Sequence, residues 1–154
     1  MVKIVSGNLL DAKERIICHQ VNCKGAMNSG VAKAIREKWP EVFTEYRSYI
    51  EMCFGSPLGS VCYAGVNGGR QEVANMFSQY SYGYDGKRYT SYDAFYNCLN
   101  SILRDSNPTD SIAFPYKIGC DRGGASWDII YAMIFNVLKD RDVTIYRLET
   151  EEDA

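Results

Sequence analysis

An apolar run at residues 15–20, Arg-Ile-Ile-Cys-His-Gln, empties into a glycine-bearing loop and then into a helical pattern over 29–39. Gly25 and Gly30 free the backbone at this turn, and the helix that follows offers main-chain N–H groups at its N-terminus. Such a unit suits a phosphate-bearing ligand. It also suits an ordinary steric turn, because the loop carries neither G-x-G-x-x-G nor G-x-x-x-x-G-K-[ST]. The unit recurs near the other end of the chain. Residues 111–116 read as a strand, 117–126 as a loop with three glycines, and 127–139 as an amphipathic helix. Two such loops in one small domain can face a shared crevice at the carboxyl ends of their strands.

The remaining elements fill in around this pair. Strands are expected at 2–6 and 15–20, helices at 29–39 and, opened by Pro40, at 41–53. After the turn at 56–59 come strands at 60–66 and 71–77, joined by Asn67-Gly68-Gly69, a hairpin signal. A tyrosine-rich loop leads to a helix at 91–104, Asn107-Pro108 breaks the chain, and a β-branched strand at 142–148 precedes an acidic tail at 149–154. This order predicts an α/β fold, a three-layer α/β/α domain over residues 1–148 around a mixed sheet of about six strands.

Composition narrows the function. With 154 residues, 46% hydrophobic and 23% charged, the chain can bury one adequate core. Its net charge is −2 and no Lys/Arg run exceeds two, so the sequence carries no strong footprint for gripping a nucleic-acid backbone. The six cysteines are scattered without a C-x-x-C pair, and no secretory leader or long apolar span is visible. Reduced thiols in a cytoplasmic protein, with no membrane attachment, are expected. One histidine and no paired thiols argue against a zinc site, and no metal or cofactor is expected.

Four ordered blocks carry a family resemblance. They are Val5-Ser-Gly-Asn-Leu9; Ile17-Cys-His-Gln-Val-Asn-Cys-Lys-Gly-Ala-Met27 with Ser29-Gly-Val-Ala32; Asn75-Met-Phe-Ser-Gln79; and Phe114-Pro-Tyr-Lys-Ile-Gly-Cys120 with Gly123-Gly124 and Trp127. Together they resemble the macrodomains, in particular the branch of the ADP-ribose-1″-phosphate phosphatases and terminal ADP-ribose protein glycohydrolases. The resemblance implies ADP-ribose, or an ADP-ribosylated substrate, in a crevice at the strand ends, its diphosphate and distal ribose held between the glycine loops.

Residue by residue, the resemblance puts Asn8 where relatives carry an acid for the adenine amino group. An amide oxygen still accepts that N–H, without charge assistance. It assigns Asn22, Cys23, Lys24, Gly25, Met27, Gly30 and Val31 to the first loop, with Asn28-Ser29 replacing the family's frequent glycine pair. Ser78 joins the ligand set, and Gly119, Cys120, Asp121, Arg122, Gly123 and Gly124 form the second loop. In the glycohydrolases a lysine follows the Asn-Leu-Phe-like strand and is aided by a second-loop aspartate. Here the lysine position is Gln79, and the acid lies about two residues from Asp121.

The catalytic set implied is His19, Asp121 and Asn22. His19 is the chain's one side chain with an ordinary pKa suited to proton transfer near neutrality. Equally, strand alternation sets it on the face of Ile17, as a hydrogen-bonded core histidine would be. Asp121 reads as a base or as a turn former. Cys23 and Cys120 read as cleft wall, since neither has a neighbouring base. Tyr80 to Tyr84 suit a lid over the ligand or a protein contact, while Tyr146 on the last strand is expected to pack inside. Two functions stay open: a hydrolase acting at the distal ribose of ADP-ribose derivatives, and a non-catalytic ADP-ribose reader.

Overall fold

A computed structural model describes residues 1–149, so residues 150–154 of the expected acidic tail lie outside the described residues. The strands are β1 (Val2–Ser6), β2 (Ile16–Asn22), β3 (Val61–Val66), β4 (Gln71–Gln79), β5 (Ser111–Pro115) and β6 (Asp142–Arg147). The helices are α1 (Gly30–Lys38), α2 (Pro40–Met52), α3 (Tyr92–Asp105) and α4 (Trp127–Leu138). The strands form one sheet in the order β1-β6-β5-β2-β4-β3, parallel throughout except for the antiparallel edge pair β3/β4. This is the α/β/α architecture expected.

Burial explains which strands sit where. In β2 every residue but Gln20 is buried, the near-continuous pattern of a parallel strand covered on both faces. Edge strand β3 instead alternates buried with partly exposed positions. On one face Phe95, Leu99 and Ile102 of α3 and Ile130, Ile134 and Leu138 of α4 close over Cys18, Met76, Phe114 and Ile145. On the other, Ile35 of α1 and Val42 and Tyr46 of α2 close over Ile17, Val21, Val73 and Phe77. Each large apolar side chain so buried contributes roughly 1.5–3 kcal/mol.

Local signals set the element ends. Ser91 Oγ accepts the amide of Ala94 at 3.1 Å and caps α3. Pro40 opens α2. Asn67, Gly68 and Gly69 take positive φ values of 55°, 69° and 80° at the hairpin tip, a geometry Asn and Gly adopt with little strain. Two strands outrun their expected ends. β2 continues to Asn22 and β4 to Gln79, which pair across a register irregularity at Val21/Asn22. One element was not anticipated, a 3-10 turn at Leu9–Asp11 capped by Asn8, whose Oδ1 accepts the Leu10 amide at 3.0 Å. No helix among the described residues is long and apolar enough to cross a membrane.

Candidate functional site

The parallel strands all point their carboxyl ends the same way, and the chain leaving β2 turns to one face of the sheet while the chain leaving β5 turns to the other. The crevice between them is a cleft of about 780 Å³, within the range of small-molecule sites. His19, Gln20, Val21 and Asn22 form its floor; Ala26 to Ala32 form one wall and Pro115 to Gly123 the other. Asn8, Leu9, Leu10, Tyr146 and Leu148 close one end, and Gln79, Tyr82, Gly83 and Tyr84 the opposite end.

The first loop is organised by Asn22. Its Oδ1 accepts the amides of Lys24 at 2.9 Å and Ala26 at 3.4 Å, and its Nδ2 donates to the Ala26 carbonyl at 2.9 Å. The chain then enters α1 through Ser29, whose side chain makes no cap hydrogen bond, so the first-turn amides keep their polarity for a ligand. Gly30, Val31 and Ala32 line the cleft. A helix N-terminus in this setting favours an anion.

The second loop rests on a part-buried amide and hydroxyl network. Gln20 Nε2 donates to Gln79 Oε1 at 2.6 Å and to Thr90 Oγ1 at 2.8 Å, and Ser78 Oγ donates to Gln20 Oε1 at 2.7 Å. Thr90 Oγ1 donates onward to the Gly119 carbonyl at 2.8 Å. The Gly123 carbonyl accepts the amides of both Tyr89 at 2.8 Å and Thr90 at 2.9 Å, pinning the glycine loop to the tyrosine-rich segment. A side chain at Gly123 has no room, because its Cβ would lie 2.5 Å from the Gly119 carbonyl oxygen and closer still to Thr90 Oγ1.

Of the residues singled out from sequence, Asn8, His19, Asn22, Met27, Gly30, Val31, Gly119, Cys120, Asp121, Arg122 and Gly123 line the cleft. The others stand behind it. Cys23 Sγ faces the Gln79 carbonyl at 3.5 Å, and the Lys24 ammonium lies 4.4 Å from the centre of the Tyr80 ring. The Gly25 amide is bonded inward, Ser78 is fully buried in the Gln20 network, and Gly124 packs against Lys87 and Arg88.

His19 is fully buried, with Nε2 bonded to Asn75 Oδ1 at 2.6 Å. Asn75 donates its own amide to the Cys62 carbonyl at 3.0 Å, so His19 Nε2 carries the hydrogen and donates. Burial pulls the imidazole pKa down to about 4. Burial likewise pushes the Cys120 thiol up to about 11 and raises Cys23, which keeps both as neutral thiols near neutral pH.

Nothing in the sequence marks Gln20 as part of this site, and the sequence predicts that Tyr146 packs inside. Tyr146 is instead half-buried and lines the cleft, its hydroxyl donating to Glu14 Oε1 at 2.6 Å. β6 is covered on both faces, so alternation gave no sign of the side chain emerging at its end. Tyr82 and Tyr84 reach the cleft from the tyrosine-rich loop, and the Arg122 guanidinium sits 4.0 Å over the Tyr84 ring. Among the described residues no His/Cys/Asp/Glu cluster has the makings of a metal site.

This is the architecture to which the sequence comparison adds its result: the Macro domain family matches residues 18–134. The chain belongs to the macrodomain family. A DNA ADP-ribosyl glycohydrolase of Mycobacterium tuberculosis is 28% identical over 152 residues, covering 95% of this macrodomain and 42% of that relative. The chain therefore spans about two fifths of the length of that relative. An ADP-ribose 1″-phosphate phosphatase of Neosartorya fischeri is 35% identical over 54 residues, 34% of this chain and 27% of the relative. The structure of Thermosipho africanus DarTG in complex with ADP-ribose superposes with a TM-score of 0.77 at 16% identity, covering 96% of this chain and 41% of that one.

Proposed function

We propose that this macrodomain binds ADP-ribose in the cleft and hydrolyses a bond at its distal ribose, that of ADP-ribose-1″-phosphate or of an ADP-ribosyl link. One observation carries the reading. The uncapped first turn of α1 and the second glycine loop flank a single crevice at the strand ends, offering main-chain N–H groups from both sides to a diphosphate. The base sits at the Asn8–Tyr146 end and the distal ribose beside Gln79, Tyr82 and Asp121.

In this reading Asp121 is the proton-handling group. Its carboxylate takes a proton from water as the water oxygen bonds to C1″ and the acceptor departs. His19 is not the acid or base, because it is closed to solvent, held by Asn75 and neutral above about pH 4. Asn22 shapes the loop, and Gln79 serves as a hydrogen-bonding group where the glycohydrolases carry lysine. The unpaired thiols of all six cysteines agree with a reducing, cytoplasmic setting. The buried His19 and the amide at Gln79 favour a second reading, that of a reader without turnover.

Calorimetry with ADP-ribose and AMP, followed by turnover assays with ADP-ribose-1″-phosphate, ADP-ribosylated DNA and ADP-ribosylated protein, tests both. The hydrolase reading expects ADP-ribose to bind more tightly than AMP and one substrate to turn over. Tight binding with no turnover leaves the reader, and equal affinity for the two nucleotides overturns the binding mode.

A further inference from the structure

Tyr46 of α2 does not touch the cleft, yet its hydroxyl ties the first glycine loop to α2, while the Cys23 amide ties the start of the same loop to the Tyr80 carbonyl at 3.0 Å. The side chain is fully buried, its ring stacked on Phe77 with centroids 5.5 Å apart and 20° between planes. Its hydroxyl lies 2.6 Å from the Asn22 carbonyl and 2.9 Å from Asn22 Oδ1, and it accepts the Gly25 amide at 3.1 Å. Burial raises the phenol pKa, so the group remains a protonated donor. We propose that Tyr46 is the positioning residue of the first loop, holding residues 22–26 in the shape that meets the distal half of the ligand.

Gly25 sits at φ +82°, a conformation glycine reaches readily but does not enforce. The constraint comes from Asn22 Oδ1, which gathers the amides of Lys24 and Ala26. That same oxygen lies at the Tyr46 hydroxyl, so one rigid phenol from a neighbouring helix orients Asn22 and anchors Gly25 together. Asn22, Ala26 and Met27 then line the cleft. Without the hydroxyl, the Gly25 amide has no partner at this position and the loop can sample other shapes, while the stacked ring and the core around it stay as they are.

Tyr46→Phe tests this, and the ligand arm rests on ADP-ribose being the ligand. Amide hydrogen exchange of the ligand-free protein should quicken at Gly25 and Ala26 by tenfold or more, with protection in β4 and α3 unchanged. ADP-ribose affinity should fall about tenfold, the scale set by leaving a buried donor unpaired, while AMP affinity changes less than twofold. Unchanged exchange at Gly25 and Ala26 overturns the proposal. So does an equal loss for ADP-ribose and AMP, which marks general loosening rather than loop positioning. A wild type that ignores ADP-ribose overturns the ligand reading instead, and the exchange arm then decides on Tyr46 alone. If Tyr46→Phe fails to fold, 3-fluorotyrosine at position 46, which keeps the hydroxyl as both donor and acceptor, must preserve the slow exchange at Gly25 and Ala26; rapid exchange in that folded protein also overturns it.

Discussion

Replacing Gly123 by alanine should destabilise the protein through its own packing, before any ligand is considered. The added Cβ lies 2.5 Å from the Gly119 carbonyl oxygen and meets Thr90 Oγ1, whereas ordinary contact begins at 3.4 Å. The loop must therefore retreat by about 1 Å. That displacement stretches the two hydrogen bonds from Tyr89 and Thr90 to the Gly123 carbonyl, each worth about 1 kcal/mol net. Overpacking adds about 1–3 kcal/mol, for a total near 3 kcal/mol. At roughly 2–4 °C per kcal/mol for a chain of this length, the melting temperature should drop by about 6–12 °C. Gly30 is the internal control. Its φ is +59° and a Cβ there meets nothing within 4 Å, so Gly30→Ala carries only the left-handed backbone penalty of about 1–2 kcal/mol. Calorimetric melts of the two variants test the reasoning, and a Gly123→Ala protein that melts with wild type, or above Gly30→Ala, would refute it.

Stability should depend on His19 at mildly acidic pH. The folded state leaves the imidazole unprotonated down to about pH 4, while the unfolded chain takes up a proton near pH 6.5. The His19 contribution is therefore flat above that value, and stability falls as pH drops from 6.5 toward 4, by about 3 kcal/mol. Urea midpoints at pH 7.5 and 4.5 should show this loss in wild type and a smaller one in His19→Gln; parallel losses contradict the assignment. Asp121→Asn should cut turnover by roughly 10²-fold or more with ADP-ribose binding kept within about tenfold, and unchanged turnover removes Asp121 from the chemistry. Asn8→Asp should tighten ADP-ribose binding by about 1 kcal/mol through a charge-assisted bond to the base, and calorimetry showing equal or weaker binding moves the base away from Asn8.

The strand-loop-helix units around Gly25 and Gly119 were legible because apolar runs, glycines and helical periodicity fall in sequence order. What escaped were features made by residues far apart in the chain. The expected strand ends at Phe77, whereas β4 runs on to Gln79, and the hydroxyl of Ser78 bonds to Gln20, 58 residues away. In sequence the Asn22 loop shows only its glycines, while a hydroxyl bonded to it comes from Tyr46, whose spacing marks it only as the apolar face of a helix. His19 shows the opposite case. Its alternation with Ile17 favoured the core alternative, and its burial against Asn75 agrees with that alternative.

The strand order has a consequence for how the protein comes into being. Among the described residues β1, which precedes the other strands in sequence, pairs with β6, which follows them, register running from Val2 opposite Val143 to Ser6 opposite Arg147. During synthesis β1 has no neighbouring strand until β6 has emerged, whereas Leu9 and Ala12 just after it can already pack with Ile17 and Trp39. The contact joining β1 to β6 is among the longest loops the chain must close, the kind that delays folding. Asn8, Leu9 and Leu10, which wall one end of the cleft, hang from that strand. The β1–β6 edge of the crevice is thus closed late, and a nascent chain can hold most of the sheet before that end of the cleft is complete.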